Sequence, residues 1–352
     1  MRMPVEAFEH FYRGGAAISR LRGGPARGER SPEEWLASVT PRSGAAPLGL
    51  SALPDGSLLR DAVAADPVAW LGPTHYARFG SDTGVLVKLL DAGERLPVHV
   101  HPSRDFARSH LSCPYGKTEA WVVIEAEPGA VVHLGFRDPV GRAELAELVE
   151  RQDSDRLLEL MHEVPVRAGD TVLVPAGLPH AIGAGVFLLE VQEPTDFSIL
   201  LEWDGFALDG HAEGHLGLGF DRALDAVDRG PLPHDQLKAL HREAAMRAEA
   251  ADQPRELLPE AAAPYFRAEL VRPATRATIP SGFAVLTLLE GQGRLGTSHG
   301  AELAVAGGDV LVLPHAAGPL WLDGDVVAVV CRPAEPQHAE RTSTAVSASL
   351  MS

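Results

Sequence analysis

Cysteine and lysine are both scarce in this chain: 352 residues carry two cysteines, and only three of the 31 basic residues are lysines. Cys113 and Cys331 lie far apart and neither belongs to a Cys-x-x-Cys pair, so a disulfide framework is excluded and inert buried thiols are expected. Runs of apolar residues long enough to span a membrane are also missing, and MRMPVEAFEHFYRGG at the start has acidic and aromatic residues where a signal peptide needs its apolar stretch. A cytoplasmic protein with no membrane partner is expected. Positive charge is outweighed, with a formal net charge of −17. That argues against a nucleic-acid partner, whose phosphates would be repelled. It leaves room for a small phosphorylated substrate, which needs only a local basic pocket. What is present is ordinary globular composition, 45% hydrophobic and 22% charged, at a length that allows two domains and a large core.

The richest segment is 96–121, LPVHVHPSRDFARSHLSCPYGKTEAW, answered downstream by GDTVLVPAGLPHAIGAG. His99 and His101 are spaced i, i+2, so on a strand both imidazoles leave the same face. Glu119 follows on the next apparent strand, and His180 follows the Pro-Ala-Gly turn that ends the apolar run Thr171–Val174. Three imidazoles and one carboxylate converging from different strands make a first-row transition-metal site with room for a substrate. Lys117 is one of the three lysines, the others being Lys88 and Lys238, and it stands between the histidine pair and the Glu. A compact ammonium beside a metal can bind a substrate oxygen or phosphate.

Residues 1–60 are rich in Gly, Pro and Arg, and within them Ser31-Pro32-Glu33-Glu34-Trp35 reads as a helix start with Ser31 as its cap. Arg60–Ala65 reads as a short helical turn and Thr83–Leu90 as a strand. Ala120–Ile124 and Val131–Leu134 read as a strand pair across the turn Glu127-Pro128-Gly129. Arg137–His162 has helical periodicity, with Leu145, Leu148, Val149, Leu157, Leu158 and Met161 on one apolar face, and reads as a helical insertion covering one end of a barrel. Val164–Val174, Val186–Gln192 and Ser198–Trp203 return to strand character. His215–Ala251 shifts to helix, and a second β-rich block runs from Tyr265 to Pro333. In that block Gly308-Asp309-Val310-Leu311-Val312-Leu313-Pro314 repeats Gly169-Asp170-Thr171-Val172-Leu173-Val174-Pro175, but no His follows at the position of His180. The tail from His338 to Ser352 is small and polar and is expected to be disordered.

The order His99-x-His101, Glu119, then Gly169-x5-Pro175-x-Gly177-x2-His180 resembles the two motifs of the cupin barrels. LPVHVHP, GKTEAW, VPAGLPHAIGAG and EVQEPTD together are similar to the type I mannose-6-phosphate isomerases (phosphomannose isomerases), a zinc-dependent bicupin family, over roughly 35–333. The resemblance implies a mostly β fold of two cupin (jelly-roll β-barrel) domains with helical insertions, the second without metal ligands. The expected organisation is an N-terminal segment at 1–60 packing on the barrels and a metal-binding domain at 61–210 with its insertion near 137–162. A helical linker at 211–255, a degenerate second cupin at 256–337 and the tail at 338–352 complete it.

Carried over residue by residue, the resemblance makes His99 (at the family's Gln position), His101, Glu119 and His180 the metal ligands. It makes Lys117 the substrate-contacting lysine and Asp196 the acidic residue of the family's Gln-x-Ser-Asp stretch. His99 in place of Gln gives a three-His, one-Glu set that accepts Zn2+ but also Fe, Mn, Co or Ni. Leu200 stands where the family places an Arg.

Aldose–ketose isomerisation of mannose-6-phosphate to fructose-6-phosphate needs a metal to polarise the sugar oxygens through an enediolate, a proton carrier, and a phosphate pocket. Lys117, Glu190 and Glu193 are the catalytic candidates, either Glu serving as base or remaining a strand-end carboxylate. Arg104 and Arg108 are the phosphate candidates or else a charged loop surface. Trp121 either lines the sugar site or packs in the core. The other readings are another metallo-cupin enzyme (an isomerase of a different sugar or an Fe-dependent oxygenase) and a non-catalytic sugar-binding cupin. A monomer or homodimer is expected.

Overall fold

Alternation along the strands fixes the layers. In the computed structural model, which describes residues 1–23, 27–43 and 45–335, eleven strands form two antiparallel sheets: β1 Glu33–Leu36, β2 Leu86–Asp91, β3 His99–Val100, β4 Glu119–Ala126, β5 Val131–Phe136, β6 Met161–Pro165, β7 Thr171–Val174, β8 His180–Ile182, β9 Val186–Gln192, β10 Ile199–Leu200 and β11 His241–Arg242. One sheet has the order β1-β2-β9-β4-β7-β11 and the other β10-β3-β8-β5-β6. Leu90, Trp121, Val123, Val172, Val174 and Leu188 from the first share a core with Val132, Leu134, Val164 and Ile182 from the second. The two sheets therefore face each other as open sheets, an arrangement compatible with the cupin fold.

The opposite residues of the first sheet, Val87, Leu89, Ala120, Val122, Leu173, Phe187, Leu189 and Val191, pack on a second β unit. Strands buried on both faces read as continuous apolar runs, as these do. The second unit is a seven-stranded sheet of β12 Arg255–Glu256, β13 Phe266–Val271, β14 Arg276–Ile279, β15 Ala284–Thr297, β16 Glu302–Ala306, β17 Val310–Leu313 and β18 Leu320–Pro333. The mostly β class read from the sequence stands.

The repeat is structural. Gly169 and Gly308 have φ of 94° and 90°, values that suit a residue without Cβ. The next residue in each, Asp170 or Asp309, accepts the amide three residues back at 2.9 Å. Register carries the comparison further. Glu119 pairs with Val174 just before Pro175, whereas Ala284 pairs with Leu313 just before Pro314. Trp121 pairs with Val172 and Glu190, and Leu286 with Leu311 and Val330. Ala284 and Val330 thus stand where the first unit has Glu119 and Glu190, so apolar side chains fill the second interior.

Four local expectations are corrected. Ser31–Trp35 is no helix start: Glu33–Leu36 is strand β1, paired with β2. Buried partners for both its glutamates, described below, outweigh the local capping pattern. β4 and β5 do not pair. The turn between them carries the chain from one sheet to the other, and β4 pairs with β7 and β9 while β5 pairs with β6 and β8. The insertion does fold as helices Arg142–Arg151 and Ser154–Leu160. Its Leu145, Leu148, Val149 and Leu157 pack with Val98, Val100, Ala181 and Ile199, covering the outer face of the five-stranded sheet rather than a barrel end. His215–Ala251 is not a continuous helix; it holds Phe220–Ala223 and His234–Leu240, then β11. The expectation for 338–352 lies outside the described residues.

Candidate metal and substrate site

The site forms where β3 and β8 run side by side. His99 is directly opposite His180 in their ladder, so the two imidazoles leave the same face with ring centroids 4.1 Å apart, and His101 joins them at 4.9 and 4.8 Å. Each ring is held at Nδ1 by a backbone carbonyl: His99 by Pro97 at 2.8 Å, His101 by Phe197 at 2.7 Å and His180 by Leu178 at 2.8 Å. That second contact sets ring orientation and turns the Nε2 lone pair toward the site, as metal-binding imidazoles require. One possible ligand atom from each of the three lies within 4.8 Å of the others. His180 Nε2 is buried with no hydrogen-bond partner among the described residues.

Glu119 approaches the three histidines from the other sheet. Its Oε2 is 2.9 Å from His101 Nε2 and its Oε1 is 3.4 Å from His180 Nε2. Trp121, two residues on and on the same strand face, donates its indole N–H to Oε1 at 2.9 Å. Lys117 Nζ lies 2.7 Å from Glu119 Oε2 and 2.8 Å from His101 Nε2, a cation held among the donors. Gly116 lets this loop close, since a Cβ there would fall 2.5 Å from Pro102 O. Three imidazoles and one carboxylate suit a divalent transition ion, and the residues fit one. Burial holds the His101 imidazolium down to about 3, with Lys117 adding to the effect. Lys117 and the imidazoles outweigh burial to hold Glu119 well below the usual carboxylate range. Both are therefore in the protonation state that binds metal.

A second row of buried charge runs across the same sheet face. Trp35, Lys88, Glu190 and Trp121 are successive partners in the β1-β2-β9-β4 register. Lys88 Nζ lies 3.4 Å from Glu33 Oε2, 3.5 Å from Glu190 Oε1 and 4.7 Å from the centre of the Trp35 ring. Glu33 repeats the Glu119 arrangement: Trp35, two residues on, donates its indole N–H at 2.7 Å, and Tyr12 OH donates to the other oxygen. Glu190 Oε1 has no hydrogen bond among the described residues. Burial, with the Glu119 charge adding to it, pushes Glu190 up to about 7, against the pull of Lys88.

The cavity in front of these groups has a volume of about 390 Å³, within the range of small-molecule sites. His99, Lys117, Glu119, Glu190, Asp196 and Leu200 line it, together with His10, Tyr12, Glu33, Arg42, Ser43 and Lys88. The second group was not singled out from sequence. Lys88 had a signal in its rarity, whereas His10, Tyr12 and Arg42 arrive from irregular segments with no pattern. Four sequence candidates are placed elsewhere. Trp121 is fully buried, and its indole holds Glu119. Glu193 is bound by Arg104 Nε and the Thr118 amide. Arg104 also packs 4.5 Å over the Tyr265 ring. Arg108 is exposed and pairs with Asp105 at 2.8 Å.

No family model matches the sequence. A mannose-6-phosphate isomerase of Bacillus subtilis is 30% identical over 249 residues, 70% of this chain and 74% of the relative. One of Streptococcus mutans is 29% identical over 285 residues, 79% of this chain and 84% of the relative. Among solved structures, a mannose 6-phosphate isomerase from Bacillus subtilis aligns over 94% of this chain and 98% of its own, with TM-score 0.69 and 22% identity. A variant of the phosphomannose isomerase from Salmonella typhimurium aligns over 95% and 99%, with TM-score 0.71 and 16% identity. The structural likenesses show the fold, and the sequence relationship shows the family: this chain belongs to the mannose-6-phosphate isomerases.

Proposed function

We propose that the protein is a metal-dependent sugar-phosphate isomerase that interconverts mannose-6-phosphate and fructose-6-phosphate, with His99, His101, Glu119 and His180 holding the metal and zinc as its natural occupant. The observation that carries this is the convergence of three Nδ1-anchored imidazoles and Glu119 beside a cavity lined by His99, Glu119 and Glu190. A bound divalent ion supplies Lewis-acid polarisation of the sugar carbonyl and its neighbouring hydroxyl. The chain's own groups do the rest. Glu190, ionising near neutrality, takes the proton from C2 and returns it to C1, while the C2 hydroxyl proton passes to the C1 oxygen. Lys88 steadies the carboxylate between turnovers. Lys117 reaches the sugar oxygens as a donor, and Asp196 at the cavity wall accepts from a sugar hydroxyl. A cytoplasmic setting belongs to the same reading, because a reducing compartment preserves unpaired thiols such as Cys113 and Cys331.

The test is conversion of mannose-6-phosphate by purified, zinc-loaded protein, with two variants beside it. His101→Ala is expected to lose turnover and metal together. Glu190→Gln is expected to keep its metal while kcat falls by about 10²- to 10⁴-fold. A fully active His101→Ala protein would sink the reading. Leu200, directly opposite His99 in the β10–β3 ladder and lining the cavity, favours a second reading, an isomerase of a different sugar. Metal-bearing protein that ignores mannose-6-phosphate would support it.

A further inference from the structure

The cavity is lined by two lysines and one arginine, and both lysines are already committed. Lys117 is bound to Glu119 and His101, and Lys88 lies between Glu33 and Glu190. The third is Arg42, from the irregular segment after β1. Its Nη1 donates to the Glu9 carbonyl at 2.6 Å, and its guanidinium lies 5.6 Å from the centre of the Phe8 ring. Among the described residues no carboxylate forms an ion pair with it. The guanidinium is thus oriented by a backbone oxygen and an aromatic face, with its charge unspent and its remaining N–H groups unassigned. The adjacent Ser43 also lines the cavity, and its amide donates to Asp196 Oδ2 at 3.2 Å. Glu213 lines the cavity too, but it is exposed to water and accepts from the Asp209 amide at 3.4 Å.

We infer that Arg42 is the residue that binds the phosphate of the substrate, a specificity role in this cavity that the apolar Leu200 leaves open. This rests on the isomerase reading above. A phosphate dianion needs a cation not already neutralised, and a planar guanidinium can meet two of its oxygens at once. In this assignment the reducing end of an aldose phosphate lies toward His99 and Glu119 and its phosphate toward Arg42, all three of which line the cavity. The same sugar without phosphate would leave this guanidinium without a partner.

The experiment compares wild type, Arg42→Gln, Arg42→Lys and Arg108→Gln by steady-state kinetics, and measures binding of inorganic phosphate to each by calorimetry. Arg42→Gln is expected to raise KM for mannose-6-phosphate about 10- to 100-fold with kcat changed far less, and to lose phosphate binding. Arg42→Lys is expected to recover part of the affinity, and metal content and melting temperature are expected to stay at wild-type values. An unchanged KM and unchanged phosphate binding in Arg42→Gln would overturn the inference, as would the same defects in Arg108→Gln instead. If wild type binds phosphate through Arg42 yet does not turn over mannose-6-phosphate, the isomerase reading fails and the anion site stands.

Discussion

His10 shows how one side chain ties stability to pH at this site. Its ring packs against Phe11 and Tyr12 and lies 3.7 Å from Glu33, close enough for an ion pair if it were charged. Burial wins, reinforced by Arg42, Lys88 and Lys117, and the imidazole is held down to about 4 against an ordinary 6.5. The folded protein therefore binds this proton less readily than the unfolded chain. Its contribution is complete above pH 6.5 and is lost as pH falls through 4, up to about 3 kcal/mol. His101, held down to about 3, titrates in the same acid range, so the comparison must be differential. We expect His10→Asn to be destabilised less than wild type between pH 7 and pH 4.5 in urea unfolding. Equal losses in the two proteins would show that His10 is not a source of the acid sensitivity.

At the scale of elements, β1 shows what a sequence pattern can and cannot reveal. Ser31-Pro32-Glu33-Glu34 satisfies every local rule for a helix start, yet each glutamate has a distant partner that requires a strand. Glu33 points into the site toward Tyr12, Trp35 and Lys88. Glu34 points the opposite way and receives Arg22 at 3.0 Å and Arg27 at 2.5 Å, all three side chains buried. Arg22 also reaches the Gly308 carbonyl, so Glu34 links the first sheet, the helix Ala17–Arg22 and the second unit. Removing one member of a buried ion cluster leaves its partners desolvated and unpaired, so Glu34→Ala is expected to cost about 3–5 kcal/mol, read as a lower urea midpoint. A loss below about 1 kcal/mol would mean that water reaches the two arginines. The histidine triad was legible because its geometry is local: i, i+2 on a strand, then a turn of fixed length before His180. The apolar strands β7 and β9 and the Gly-Asp repeat were legible for the same reason. Arg42, Tyr12 and His10 were not, because only folding across many intervening residues brings them to the cavity.

For the whole molecule, the first sheet lies between two cores. One of its faces meets the five-stranded sheet that carries His99 and His180, and the other packs Val87, Leu89, Val122, Leu189 and Val191 against Phe266, Ala268, Val285, Val312 and Val329 of the second unit. The chain start adds to the union, with Met3 N donating to Val310 O at 2.8 Å and Val312 N to Met1 O at 2.9 Å. Neither unit can unfold without exposing the face of the other, so calorimetry should record one transition for the whole chain. The candidate ligands His99, Glu119 and His180 stand on β3, β4 and β8, which are brought together only in the folded state, so an ion held by them would stabilise that state alone. At a hundredfold excess of ion over its dissociation constant the gain is about 2.7 kcal/mol, which for a chain of this length corresponds to roughly 4 °C. Chelation should therefore lower the single transition as one peak, the second unit melting along with the first. Two peaks, of which only one moved with the chelator, would show that the shared core is too weak to couple the units, and that the second has kept a stability of its own.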